Sequence, residues 1–143
     1  MSQLFEMDGE ILWYPSNGPA RLFLRQVSVF EAEAGRPSGI GPMVNDECRI
    51  DPAAFRPFAN ALLAWYRTTT HPVMTAMAEG FIGTVLVLAE RAGMELEWRT
   101  PARPPKSLSP ADAATAVKLA EALDRRVDDL RHASRELGRS MTR

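Results

Sequence analysis

The chain has 143 residues, enough for one hydrophobic core and too few for two comfortable domains, and its 45% hydrophobic and 24% charged content is that of an ordinary globular protein. A formal net charge of −1 gives no overall pull toward nucleic acid or anionic membrane. One cysteine, Cys48, excludes an intramolecular disulfide, and the start MSQLFEMDGE has acids where a secretory signal needs basic residues and an apolar run, so a cytoplasmic location is expected.

Leu4–Met7 and Ile11–Tyr14 are short β-prone runs, and Asp8-Gly9 between them predicts a tight hairpin turn. Pro15–Pro19 then breaks the strand and offers Ser16 or Asn17 as a helix cap. From Ala20 to Ala34, apolar residues at 20, 23, 24, 27, 30 and 34 have helical spacing, and Gly35 closes the helix. Pro37–Asp51 (PSGIGPMVNDECRID) follows, with two prolines, two glycines, the cysteine and three carboxylates. Helix–helix connections in compact domains usually need only about 2–8 residues, and longer ones are disproportionately functional. This loop is therefore the first place to look for a site, with a short strand expected at Glu47–Ile50.

Asp51-Pro52 is a favoured helix start, and Phe55, Phe58, Ala59, Leu62, Leu63 and Tyr66 give that helix an apolar face until Thr68-Thr69-Thr70 ends it. From Pro72 to Ala92 apolar residues cover nearly all sides, the pattern of a central helix, with Gly80 and Gly83 admitting close neighbours. Its longest apolar run, Phe81–Ala89, is half of the ~20 residues a membrane span requires. Gly93 stops the helix, and Met94–Trp98 alternates as a half-buried strand would, joining the N-terminal hairpin.

Residues 99–108 contain a proline-rich linker, and Ser109-Pro110-Ala111-Asp112 opens a last helix that Gly138 is expected to end. Ala113, Ala116, Ala120, Leu123, Val127, Leu130, Ser134 and Leu137 form a heptad stripe, which suggests lengthwise packing within the chain or across a homodimer. Residues 1–98 carry 12 acids and 7 bases, residues 99–143 carry 6 acids and 10 bases, so the tail segment is basic. Its charges alternate in sign, which reads as a solvated helix face and argues against nucleic acid.

Asp46, Glu47, Cys48, Asp51 and His71 have the donor chemistry of a metal site but match no established spacing, so no metal or cofactor is expected. Cys48 with His71 as nucleophile and base is disfavoured, because adjacent acids raise a thiol's pKa. Gly39-Ile40-Gly41-Pro42 lacks the strand–helix setting and the lysine of a phosphate loop. A small-molecule pocket between sheet and helices would draw on Trp13, Asn17, Arg21, Asp46, Glu47 and Cys48, and these are the tentative ligand-binding residues.

The runs WYPSNG at Trp13–Gly18, RLFLRQVSVFEAE at Arg21–Glu33, PSGIGPM at Pro37–Met43 and DECRID at Asp46–Asp51 resemble a family of small bacterial proteins known only as a domain of unknown function. The likeness covers roughly the first two-thirds of the chain and implies a single cytoplasmic domain without adding a mechanism. The expected fold is α+β: a hairpin in a small antiparallel sheet packed by three to four helices (residues 1–98), the linker 99–108, and a helical arm 109–143. With no catalytic constellation, the expected function is that of an interaction protein (adaptor, regulator or immunity-type), homodimeric through Ala113–Leu137, with no nucleic-acid or membrane partner. The acidic loop is expected as one contact surface. The alternative is a small-molecule or metal-binding protein, or an enzyme, with its pocket near the Cys48 loop.

Overall fold

Asp8 and Gly9 take positive φ (50° and 81°) between β1 (Leu4–Met7) and β2 (Glu10–Trp13), and the Glu6 carboxylate accepts the Gly9 N–H at 3.1 Å. The hairpin read from Asp8-Gly9 is thus formed in this computed structural model, which describes residues 1–99 and 109–143. The expected linker lies outside the described residues, apart from Arg99. Helix α1 (Asn17–Ala34) buries Ala20, Phe23, Val27 and Phe30 and ends on Gly35 at φ 67°. Ser16 holds the N-cap position without a side-chain cap bond.

The expected long loop is a second hairpin. Strands β3 (Ile40–Val44) and β4 (Glu47–Ile50) turn on Asn45 and Asp46, at φ 51° and 62°. Asn and Asp tolerate left-handed backbone better than most residues, so this acidic stretch is turn chemistry. Pro42 concealed β3 because proline cannot donate to a ladder. The sheet accepts it here because β3 is an edge strand whose register shifts between Ile40 and Met43. Upstream, buried Ser38 donates its N–H to the Glu31 carboxylate at 2.8 Å, and its hydroxyl accepts from the Ile40 N–H at 3.1 Å.

The strand order is β2-β1-β4-β3, with β1 parallel to β4 and the other neighbours antiparallel, so the sheet is mixed where an antiparallel one was expected. Helix α1 supplies the crossover that a parallel pair between two hairpins needs. Phe5, Met7, Cys48 and Ile50 point to the core, while Glu6 and Arg49 form an ion pair of 3.1 Å on the other face.

Met94–Trp98 forms no strand. The expected alternation of burial holds, with Leu96 buried and Glu95 and Glu97 exposed, but the segment lies on the helical layer. Its backbone is satisfied by side chains of α2 (Pro52–Thr68): Asn60 accepts the Glu97 N–H at 2.8 Å and Arg67 donates to the Glu97 carbonyl at 2.9 Å. The start of α2 is as expected, with the Asp51 carboxylate accepting the Ala53 N–H at 3.0 Å.

Helix α3 (Pro72–Arg91) is central over its second half, where Phe81, Ile82 and Val85–Ala89 are buried. Its first half departs from the expected all-round burial, since Val73, Met74 and Met77 are exposed. Gly83 does admit a neighbour, its missing Cβ facing Leu137, whereas Gly80 faces open space. By length and composition α3 could cross a membrane, but over half of its apolar stretch is buried inside this fold.

Helix α4 (Pro110–Ser140) starts on Ser109, whose hydroxyl accepts the Asp112 N–H at 3.2 Å. It runs through Gly138, which a stop signal would have forbidden, because that glycine lets the helix approach Val87 of α3. Among the described residues, the second half of the heptad stripe is the buried one: Val127, Leu130 and Ser134 are buried, Ala113 and Leu123 half-buried, and Ala116 and Ala120 exposed.

Candidate functional site

A groove of about 800 Å³ opens where the end of β2, the first turns of α1, the middle of α3 and the C-terminal end of α4 meet. Each element contributes for a local reason. Trp13 is turned inward by the β2 pleat and stacks on Phe5 (centroids 5.0 Å apart), with Phe23 of α1 edge-on at 5.8 Å. Phe81 of α3 continues this floor, stacked on Phe23 at 5.2 Å. Leu22 and Met77 form the rim and are 62% and 77% exposed. Leu137, Met141 and Thr142 make the far wall.

That wall is held by a polar staple. The Arg91 guanidinium donates to the carbonyls of Leu12 (2.7 Å), Gly138 (2.9 Å) and Met141 (2.8 Å), tying β2 and the last turn of α4 to α3. Partial burial, with Arg143 nearby, pulls the Arg91 pKa down from its ordinary value, and a guanidinium stays charged under such a shift. Tyr14 and Thr142 exchange a second pair of bonds: the Tyr14 N–H donates to the Thr142 carbonyl at 2.9 Å, and the Thr142 hydroxyl donates to the Tyr14 carbonyl at 2.6 Å. Among the described residues, the polar groups that line the groove are hydroxyls and the Gln26 amide, with no carboxylate, imidazole, amine, guanidinium or thiol. Such a lining can bind and orient apolar surface, and it holds no acid–base pair to move a proton at neutral pH.

The residues singled out from the sequence do not converge. Trp13 belongs to the groove floor. Asn17 and Arg21 border a separate shallow depression with Gln3, Arg25 and Met43. Asp46 sits in the β3–β4 turn, where its carbonyl accepts the Leu4 N–H at 2.8 Å, and Glu47 lies beside Val44 and Arg49 in another depression. Cys48 faces the core, fully buried, and its thiol donates to the Gly41 carbonyl at 3.2 Å. His71 caps α3, with Nδ1 accepting the Val73 N–H at 3.3 Å. Among the described residues, no three His, Cys, Asp or Glu side chains are grouped as metal ligands would be.

Sequence reasoning missed Leu22 and Met77, the groove rim. The signal was available for Leu22: it falls outside the stripe 20, 23, 24, 27, 30 that α1 turns to the core, so a large apolar residue was left over on the solvent side.

Burial pushes the Cys48 pKa up from 9.0 to about 11, the Gly41 bond opposing this only in part. The native thiol is therefore expected to resist iodoacetamide at mildly alkaline pH while the urea-unfolded chain reacts fully. Because the folded pKa is raised, the associated stability is present below about pH 9 and declines as pH rises toward 11. Rapid stoichiometric labelling of the native protein, read by mass spectrometry, would contradict this placement.

A family model described as a family of unknown function (DUF6086) matches residues 1–143, including α4, where the likeness was expected to weaken. Neither a curated protein nor a solved structure matches the chain.

Proposed function

The chain belongs over its whole length to the DUF6086 family of unknown function, and from that premise we propose that it is a cytoplasmic interaction protein that holds an apolar segment of a partner in its groove and self-associates through α4. One observation carries this reading: the groove of about 800 Å³ is rimmed by the exposed side chains of Leu22 and Met77 and, among the described residues, lined without ionisable side chains other than Tyr14. Large apolar side chains held out in water beside a concavity are a feature of docking surfaces. The contact surface therefore moves from the expected acidic loop, now a structural hairpin, to the opposite end of the sheet beside β2.

A photoreactive amino acid at Gln26, on the groove wall, tests this in the host cell. One discrete adduct is expected, and Leu22→Glu with Met77→Glu should remove it while unfolding free energy changes by no more than about 0.5 kcal/mol per site, as exposed positions allow. An adduct pattern indifferent to charges placed in the groove would sink the reading.

A second reading has its own support. The groove volume falls within the roughly 300–1,000 Å³ of small-molecule sites, and Trp13 in its floor would report an apolar ligand. Native mass spectrometry of protein from its host separates the two, since a resident small molecule adds mass that organic solvent removes.

A further inference from the structure

The first half of α4 carries an apolar surface that the described residues cover only in part. Ala116 and Ala120 are exposed and Ala113 and Leu123 half-buried, and these four continue the stripe whose later members, Val127, Leu130 and Ser134, are buried against the body. Flanking the exposed part, Val117 and Leu119 are 57% and 59% exposed. We propose that this half of α4 pairs antiparallel with the same half of a second copy of this chain, the two helices meeting on a two-fold axis near Lys118. The inference rests on the self-association in the proposed function and adds its geometry.

Three arguments favour a second copy in this orientation. First, the surface is an extension of an interface already formed: the stripe past Leu123 is occupied by the chain's own body, so only residues 110–124, a length of ~20 Å, remain to pair. Second, the sequence is self-complementary under an antiparallel two-fold. Ala113 then faces the second copy's Leu123 and Ala116 its Ala120, so small meets large or small throughout, while Val117 and Leu119 each meet their own counterparts. Third, the charges agree. Antiparallel pairing sets Asp112 near the second copy's Arg126, whereas parallel pairing sets Leu119 beside Asp124 and Arg126 beside Arg131. Within its own chain Arg126 lies over the Tyr66 ring at 5.1 Å and bonds the Tyr66 and Thr69 carbonyls through Nη2.

Four core layers make an interface below the about 1,200 Å² at which standard interfaces begin, so a concentration-dependent dimer is expected. Light scattering on the full chain across a wide concentration series should show the mass rising from monomer to dimer. Leu119→Glu, at an exposed position that leaves the fold intact by circular dichroism, should weaken association by about tenfold or more, because a carboxylate would be buried against its copy. Orientation is read from disulfides, with buried Cys48 left in place. Val117→Cys should link to its own copy. Ala113→Cys alone should not, but should link to Leu123→Cys when the two variants are mixed. Self-linking of Ala113→Cys would mean parallel pairing and overturn the inference while leaving self-association standing. A wild-type monomer at every concentration would remove both, and the Gln26 adduct would still decide groove docking by itself.

Discussion

Replacing Phe81 with alanine is expected to lower the free energy of unfolding by about 3–5 kcal/mol. The ring is the hub of the helical layer. It lies 4.3 Å from Phe30 with the planes only 6° apart and 5.2 Å from Phe23 at 20°, and it meets Phe58 edge-on at 6.4 Å. One side chain of α3 thus joins α1 to α2, and its removal leaves a cavity among three aromatic neighbours that cannot collapse without separating the helices. Against a domain total of about 5–15 kcal/mol, such a loss removes a large fraction of the stability. Because Phe81 also floors the groove, the surviving folded fraction should lose the proposed groove docking as well. Urea denaturation followed by tryptophan emission measures the effect, and a loss below about 1 kcal/mol would mean the ring is not a packing centre.

Gly39→Ala is expected to cost about 2–4 kcal/mol, and Gly80→Ala to stabilise by up to about 1 kcal/mol. Gly39 has φ 73°, and a Cβ there would lie 2.6 Å from the Asp51 carbonyl oxygen and 2.9 Å from Ala54 Cβ. Those neighbours are fixed, since the Asp51 N–H donates to the Gly39 carbonyl at 2.8 Å and the Asp51 carboxylate caps α2. The substitution therefore strains the backbone and displaces the joint between the β3–β4 hairpin and α2. Gly80 is helical, with nothing within 4 Å of where its Cβ would stand, so alanine gains helix propensity without a clash. Thermal melts of the two variants beside wild type read the contrast directly. If Gly39→Ala melts with wild type, the close approach at Asp51 is not a constraint on the fold.

Local signals were legible wherever they act within a few residues. Asp8-Gly9 marked a hairpin, Gly35 and Gly93 marked helix ends, and Asp51-Pro52 and Ser109-Pro110 marked helix starts, because turns and caps are satisfied by neighbouring backbone. The same locality misled at Pro42, which reads as a breaker until an edge position and a register shift accommodate it. It misled again at Gly138, where the approach of Val87 outweighs the usual role of a glycine as a stop. Of the candidate site, Trp13 was the legible part. The rest of the groove is assembled from segments far apart in the chain, joined for instance by the Tyr14–Thr142 bond across 128 positions.

By itself the sequence determined the α+β class, the positions of the four helices, the first hairpin, the β4 segment and most of the buried set, since helical periodicity and turn chemistry fix which face of each element is apolar. Tertiary structure alone decided that β1 runs parallel to β4, that Met94–Trp98 lies against α2 and not in the sheet, that half of the α4 stripe is consumed within the chain, and that an apolar groove opens beside Trp13. The physical reason is that a periodic pattern records which face seeks cover but not which surface supplies it, and that choice is made by packing between elements far apart in the chain.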